Sequence, residues 1–169
     1  MNNVMINIET PVENKDINKL KINDKIEITG TIYTGRDTAL PKLIKKIQTN
    51  QKIDINLNKS IIMHTAVSNA GIAPTTSNKI EIESSIIPLS KEGVKIHIGK
   101  GSLNKKTING LKKENSIFVI TPPTAALLTN TIKEKKPIMF KKEGIEAIYE
   151  LKVEKLPGIV AIKDGKSIF

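Results

Sequence analysis

The sequence predicts an α/β fold, because apolar runs with the period of a strand alternate with runs that have the period of a helix. The 169 residues, 38% of them hydrophobic, are enough for one domain with a substantial core. Only 3% are aromatic, so that core is expected to be aliphatic, chiefly isoleucine. We therefore predict a single domain over residues 1–169, in which residues 1–20 form a strand and a loose leading segment.

The first clear strand is predicted between Ile22 and Thr34, where isoleucines alternate with polar residues around Gly30. A helix is predicted from Asp37, with Pro41 in its first turn, where a missing N–H does no harm. Its apolar face is formed by Leu40, Leu43, Ile44 and Ile47. Arg36 thus lies where a strand passes into a helix, and ligands collect at such strand ends in α/β folds.

The rest of the chain continues this alternation after a polar link at 53–58. The patterns predict, in order, a strand at 60–67, a strand at 94–98, a helix at 103–113, a strand at 116–120, a short helix from Thr124, and two late strands at 147–153 and 159–162 that are separated by Pro157-Gly158. Asp164-Gly165 is expected to form the last turn.

The composition limits the classes of function. Without cysteine, the chain has no disulfide and no thiolate ligand for zinc or an iron–sulfur centre of its own. The net charge of +10 would suit nucleic acid, but the lysines are dispersed and stacking aromatics are scarce, so we expect no nucleic-acid partner. No signal peptide or apolar run of membrane-spanning length is present, which favours a cytoplasmic protein without a membrane partner.

Arg36 is the only arginine among 27 basic residues, and all the others are lysine. A guanidinium holds a carboxylate or phosphate by two parallel hydrogen bonds, which an ammonium cannot do. We interpret Arg36 as an anion clamp. The alternative is a single arginine left in a lysine-rich composition.

Two further turns have residues suited to an anion. Thr75, Thr76 and Ser77 follow a Gly-Ile-Ala-Pro run, where hydroxyls and free N–H groups can face an anion at a helix start, or merely cap the helix. Gly99-Lys100-Gly101 follows a strand and lets the backbone approach a ligand while Lys100 projects, although an exposed turn would have the same sequence. It lacks the spacing of a P-loop.

The two histidines lie in strand-like runs. His97 alternates with Ile96 and Ile98 and is expected to face the other side of its strand. His64 lies in an apolar run, which favours a hydrogen-bonded core histidine over a general base, although its ordinary pKa would suit proton transfer.

Together, these motifs resemble the beta subunit of class I fumarases and L(+)-tartrate dehydratases, which is the carboxy-terminal domain in the single-chain enzymes. The resemblance covers almost the whole chain from Leu20 onward. It depends on the order and spacing of the motifs as well as on their residues. The matching runs are 32–37, 73–76 with a cation at Lys79, 98–101, 125–128, 146–153 and 157–160.

The resemblance implies a swivelling β/β/α domain and a hydro-lyase that adds water to, or removes it from, a small dicarboxylate. It implies a [4Fe-4S] cluster held by cysteines of an alpha subunit, whose open iron binds a substrate oxygen. It also implies that Arg36 grips one carboxylate, that Lys100 neutralises a second negative group, and that Thr75 sits beside the carbon that exchanges a proton. Thr76, Ser77 and Lys79 would complete the substrate site with Asp37 and Gly99.

Several positions differ from the family's usual residues. The family has arginine at Lys79, histidine at Leu40, glycine at Ala73, glycine-proline at Ala66-Val67 and two glycines at Pro122-Pro123. Lysine keeps the charge of the arginine but not its fork. A diverged, non-catalytic relative that binds a small anion or an assembly partner therefore stays as the alternative to a dicarboxylate hydro-lyase, and nucleic-acid binding as a third hypothesis.

Overall fold

A computed structural model describes residues 4–68, 71–72, 79–122 and 125–169, with the side chains of 79–81 and 125–126 excepted. Its strands are β1 (Ile6–Glu9), β2 (Lys25–Gly35), β3 (Ser60–His64), β4 (Val67–Ser68), β5 (Gly71–Ile72), β6 (Val94–Gly99), β7 (Ile117–Ile120), β8 (Ile132–Met139), β9 (Ile148–Lys163) and β10 (Lys166–Ser167). The helices are α1 (Asn14–Asn18), α2 (Ala39–Gln48), α3 (Lys79–Lys91), α4 (Lys105–Lys113) and α5 (Ala125–Thr129), with a 3-10 helix at Lys141–Glu146.

The main sheet closes on itself. Strands β2, β3, β6 and β7 are parallel neighbours, and β9 runs antiparallel to both β7 and β2, which joins the two ends of the row into a barrel-like ring. β1 and β8 extend the ring at β2 and β9. β4 and β5 form a separate small hairpin. The predicted mixed α/β class is thereby confirmed.

The core is aliphatic, as the composition predicts. Alternate residues of the ring strands form one buried cluster, and the opposite faces of these strands pack in two further clusters against α2, α3 and α4. Helix α2 buries Leu40 and Leu43, while Ile44 and Ile47 pack at the edge of the same cluster, so the predicted helix face is confirmed.

The leading segment is not loose. β1 pairs in parallel with β2, and Val12, Ile17 and Leu20 are almost completely buried in the ring cluster. The prediction of a loose segment was wrong because it judged a polar, asparagine-rich stretch by average composition. Four of the apolar residues in that stretch, Ile8, Val12, Ile17 and Leu20, fall where they face the core.

The two predicted late strands are one strand, β9, so the break at Pro157-Gly158 was wrong. β9 pairs with β8 up to Val153 and with β7 from Ile159. Pro157 lies between these stretches, opposite Glu27 of β2, where the other flank of β9 has no strand partner. A proline is tolerated there because no ladder hydrogen bond is lost on the open side.

The remaining predicted elements are confirmed with small shifts of their ends, but β8 and the β4–β5 hairpin were not predicted. β8 is strongly lysine-rich and largely exposed, so it lacks the alternation that marks a half-buried strand. In the described part of the chain, no helix has the length and apolar character needed to cross a membrane.

Candidate functional site

The parallel strands bring two of the predicted turns to the same edge of the sheet. β2 ends at Gly35, immediately before Arg36, and β6 ends at Gly99, immediately before Lys100. β3 lies between these strands and is parallel to both. Since neighbouring strands are about 5 Å apart, the two strand ends are separated by roughly 10 Å. Long cationic side chains at that separation can both reach one small dianion.

Arg36 is held by a carboxylate from a distant part of the chain. Its Nε donates to Glu146 Oε1 at 2.7 Å and to Oε2 at 3.0 Å, and its Nη2 lies 2.7 Å from Oε1. The hydrogen bond to Glu146 raises the pKa of Arg36, with a smaller contribution from the charge of Asp37. Both side chains of the pair stay about one-quarter exposed, at 25% and 22%.

One edge of the guanidinium has no partner among the described residues. Glu146 occupies the edge formed by Nε and Nη2, and Nη1 makes no hydrogen bond or ion pair to any residue within the described ranges. A guanidinium presents a second bidentate edge, formed by Nη1 and Nη2, to an incoming carboxylate. Glu146 therefore fixes the direction of the arginine while leaving it able to bind a further anion.

Gly99 allows the close packing from which Lys100 emerges. A Cβ at Gly99 would lie 2.8 Å from Phe118 Cζ, a distance that side chains do not tolerate, so this strand end requires glycine. Lys100 itself is exposed, and Gly101 has a φ of +82°. The exposure of Lys100 is compatible with a projecting ammonium, and its role at a ligand stays a prediction.

Buried polar atoms without a partner gather beside Arg36. Among the described residues, the buried side-chain atoms that lack a hydrogen bond are Thr34 Oγ1, Asp37 Oδ1 and His64 Nδ1. Thr34 and Asp37 flank Gly35-Arg36 in the chain, and His64 is the register partner of Gly35. Orphaned buried polar groups are rare in folded proteins and concentrate where a ligand, water or catalytic role supplies the missing partner.

His64 and His97 form a buried pair on neighbouring strands. His64 Nε2 lies 3.2 Å from His97 Nδ1, and His97 Nε2 lies 2.8 Å from Ser90 Oγ on α3. Burial lowers the pKa of His64 to about 4, and burial together with His64 lowers the pKa of His97 well below its ordinary value. Both rings are therefore neutral near pH 7, in agreement with the prediction of a core histidine at His64.

The predicted hydroxyl loop consists of Thr75, Thr76 and Ser77. Thr75, Thr76 and Ser77 lie outside the described residues, and only the backbone of Lys79 is described, as the first residue of α3. Helix α3 thus begins directly after the predicted helix-start segment. The positions that the structure brings together are Arg36, Asp37, Gly99 and Lys100.

The sequence did not indicate the contacts that three residues make, namely Glu146 with Arg36, and His97 with His64 and Ser90. Glu146 belongs to a run that matched the family pattern, but nothing local indicates a partner 110 residues away in the chain. His97 lies between two isoleucines, and this alternation indicated on which face of its strand it lies. It did not indicate the contact of His97 with His64.

No metal site is evident in the part of the chain that the structure describes, since no group of three or more His, Asp or Glu side chains there could hold an ion. Together with the absence of cysteine, this means that the described residues do not fit an iron–sulfur cluster. A cluster used by this chain would require ligands from outside these residues.

Comparison with known proteins agrees with the arrangement of these motifs. The model of the fumarase C-terminus family matches residues 1–169. The chain belongs to this family.

Named relatives of this fumarase C-terminus chain are dehydratases and hydratases. It is 32% identical over 170 residues to a provisionally named L(+)-tartrate dehydratase subunit beta of Methanocaldococcus jannaschii, covering 92% of this chain and 86% of that protein. It is 30% identical over 168 residues to the L(+)-tartrate dehydratase subunit beta of Escherichia coli K12, covering 92% and 81%. A provisionally named class I fumarate hydratase of Geobacillus stearothermophilus is 28% identical over 172 residues, which cover 94% of this chain and 32% of that one.

One of the positions at which this fumarase C-terminus chain differs from the family's usual residue lies packed in the core. Leu40 stands where the family pattern has histidine, and it is 2% exposed. A Cβ at Gly35 would lie 2.8 Å from Leu40 Cδ2, so Leu40 covers the backbone just before Arg36. Pro122 follows β7 and is half-buried, whereas Ala73 and Pro123 lie outside the described residues.

Proposed function

We propose that this chain is the beta subunit of an iron–sulfur hydro-lyase, which adds water to a small dicarboxylate or removes it, as from fumarate to malate or on a tartrate-like acid. It would act with an alpha subunit in the cytoplasm, as a single swivelling β/β/α domain. The supporting observation is that Arg36 and Lys100 follow parallel strands separated only by β3, at one edge of the sheet. Family membership supplies the reaction class.

The proposed roles of Arg36 and Lys100 follow from the negative charge of the substrate. A dicarboxylate carries two negative charges, and removing a proton next to one carboxylate builds further charge there. Arg36 would grip one carboxylate through its open Nη1 edge, and Lys100 would neutralise the second. Fixed cations aimed at developing charge stabilise a transition state more than mobile ones do.

The hydroxyl loop would supply the proton-transfer group. Thr75 is proposed as the catalytic residue beside the carbon that exchanges a proton, with Thr76, Ser77 and Lys79 completing the substrate site. A threonine hydroxyl is a poor base by itself, so this role requires activation by its neighbours. The family usually has a second arginine where this chain has Lys79. A lysine cannot make the bidentate contact of an arginine with a carboxylate, and that contact is worth about 1–3 kcal/mol.

The [4Fe-4S] cluster is proposed to lie on the alpha subunit, because this chain has no cysteine. When bound there, a cluster supplies a Lewis acid that polarises the leaving hydroxyl. The contribution of this chain is to hold and orient the dicarboxylate, and to hold the transferred proton at the Thr75 hydroxyl.

The direct test is anaerobic co-expression with the alpha partner, reconstitution of the cluster, and absorbance assays with fumarate, mesaconate and tartrate. Turnover of at least one of these acids is expected, and it should be lost when either chain is omitted. If none is turned over although the cluster is verified spectroscopically, the chain is a diverged relative that binds an anion or an assembly partner without catalysis.

A further inference from the structure

The loop between β8 and β9 carries the carboxylate that orients Arg36. It covers residues 140–147, between the paired ends of the two strands. Ala147 is 1% exposed, so the far end of the loop is anchored in the core. Glu146, the partner of Arg36, lies directly before this anchored end. The direction of the guanidinium therefore depends on how firmly the loop is held.

The middle of the loop has little packing of its own. Gly144 has a φ of +61° and a ψ of −122°, which interrupts the 3-10 helix. A Cβ at Gly144 would meet no atom of a described residue within 4 Å, so this point borders open space. Ile145, the next residue, is 50% exposed. Contacts with another element must therefore contribute to fixing the loop.

A second ion pair ties the loop to helix α2. Lys42 Nζ contacts Glu143 Oε1, and the same ammonium lies 6.0 Å from the centroid of the Phe140 ring. An ammonium at that distance is attracted by the face of an aromatic ring. Lys42 thus contacts both the first and the fourth residue of the loop.

Both ion pairs lead to one short stretch of the chain. Arg36 and Lys42 are six residues apart, in the turn after β2 and in the first turns of α2. With Lys42 in contact, only residues 144 and 145 separate the tied Glu143 from Glu146. Without that contact, the whole span from residue 141 to 145 would be untied. A shorter span between fixed points has fewer conformations, so it holds the residue at its end more closely.

We infer that Lys42 is a positioning residue for Arg36, because its contact with Glu143 keeps the Glu146 carboxylate on the Nε–Nη2 edge of the guanidinium. The orientation of Arg36 can be measured in the isolated chain, independently of the proposed function. Only the consequence for substrate binding rests on that function. A guanidinium that is already held in one direction binds a carboxylate at a smaller entropic cost.

The alternative is a surface ion pair without a role in the site. The side chains of Lys42 and Glu143 are 48% and 31% exposed, and ion pairs at such exposure add little to stability. Both interpretations therefore predict nearly the same free energy of unfolding for a variant of Lys42. They differ in what they predict for Arg36, so the experiment must measure Arg36 itself.

Arg36 is the only arginine of the chain, so its Nε–H gives a single signal in proton–nitrogen spectra of arginine-labelled protein. The hydrogen bonds from Nε to Glu146 slow the exchange of this proton with water. In Lys42→Gln, the exchange rate at pH 7 is expected to rise about threefold or more, because the hydrogen-bonded state is less populated. The lost positive charge cannot itself cause this rise, since hydroxide catalyses the exchange and a positive charge attracts hydroxide.

Lys45→Gln, at an exposed lysine of the same helix, is the matched control and should leave the exchange rate unchanged. Lys42→Glu should raise the rate, and the double variant Lys42→Glu/Glu143→Lys should bring it back toward that of the unsubstituted chain. If Lys42→Gln leaves the rate unchanged or lowers it, or if Lys45→Gln raises it equally, Lys42 does not position Arg36. A double variant that exchanges as fast as Lys42→Glu alone would contradict the role as well.

The assembled enzyme provides a second measurement. Lys42→Gln should raise KM for the dicarboxylate about two- to threefold and leave kcat within about twofold, because Arg36 is still present but less firmly oriented. An unchanged KM would mean that the orientation of Arg36 does not limit substrate binding. An assembly without any activity would contradict the proposed hydro-lyase function, whereas the exchange rate of Arg36 would still decide the role of Lys42.

Discussion

At the scale of single residues, the site depends on the difference between a guanidinium and an ammonium. Arg36 alone has two bidentate edges, of which one is used by Glu146 and the other has no partner among the described residues. A lysine at this position would keep the positive charge but could not bind two carboxylates in fixed directions. The exposed lysines elsewhere cannot replace it.

Arg36→Lys should therefore lower kcat/KM of the assembled enzyme at least tenfold, because the bidentate contact to a substrate carboxylate is lost. Steady-state kinetics with the preferred dicarboxylate measures this change. Lys95→Ala, which removes a positive charge elsewhere, is the control and should leave kcat/KM within about twofold. Equal losses in the two variants would remove Arg36 from the site.

Glu146→Gln tests whether the carboxylate orients Arg36 or competes with the substrate. An orienting role predicts a KM about three- to tenfold higher, because a neutral amide holds the guanidinium less firmly than a carboxylate does. Titration of substrate against the assembled variant and the unsubstituted enzyme gives both KM and kcat. A lower KM in the variant would show that Glu146 occupies the edge that the substrate needs.

The site residues that could be predicted from the sequence were marked by a rare residue type or by their immediate neighbours in the chain. A lone arginine at a strand end and a Gly-Lys-Gly turn after an isoleucine strand were visible in the sequence and lie at one edge in the structure. Glu146 and the contact between the two histidines were not predictable, because they join residues far apart in the chain. Only the folded sheet brings such residues together.

At the scale of elements, the buried histidines on the neighbouring strands β3 and β6 make the stability of the fold depend on pH. Burial lowers the pKa of His64 to about 4, below the value of about 6.5 in an unfolded chain. The folded state thus binds fewer protons than the unfolded state between these values. The stabilisation that His64 contributes is complete above pH 6.5 and is lost as the pH falls toward 4.

Denaturant unfolding at pH 7 and pH 4 should show this loss, which is about 3 kcal/mol for His64 because each pKa unit corresponds to about 1.4 kcal/mol. His97 on β6 acts in the same direction, while Asp37 and Arg36 are the charged groups of the neighbouring turn. In the double variant His64→Leu/His97→Leu, the free energy of unfolding should fall less over this range. Equal falls would assign the acid sensitivity to other groups.

The close packing of Gly158 on β9 against Val119 on β7 offers a test. A Cβ at Gly158 would lie 2.5 Å from Val119 Cγ1, which is fully buried in the ring. Gly158→Ala should therefore lower the free energy of unfolding by about 1–3 kcal/mol through overpacking. Chemical denaturation measures the change. Combining it with Val119→Ala should recover part of the loss, whereas strictly additive losses would show that the two positions do not conflict.

At the scale of the whole molecule, the ring explains which parts of the fold the sequence could predict. The alternation of strands and helices could be predicted from the sequence because each element buries one face. The closure of the sheet into a ring could not be predicted, because β2 and β9 pair residues such as Lys25 and Ile159, which no local pattern connects. Pro157-Gly158 indicated a break by turn chemistry, but the pairing of β9 with β2 on one flank overrides that local preference.

Ring closure also sets an order of events during synthesis on the ribosome. The edge of β2 that pairs with β9 is made well before its partner, which follows much later in the chain, as residues 148–163. Until then the nascent polypeptide has open edges at β2 and β7, and such edges invite association with other chains. A chain truncated before β9 is therefore expected to be prone to aggregation, because it would keep both of these edges exposed.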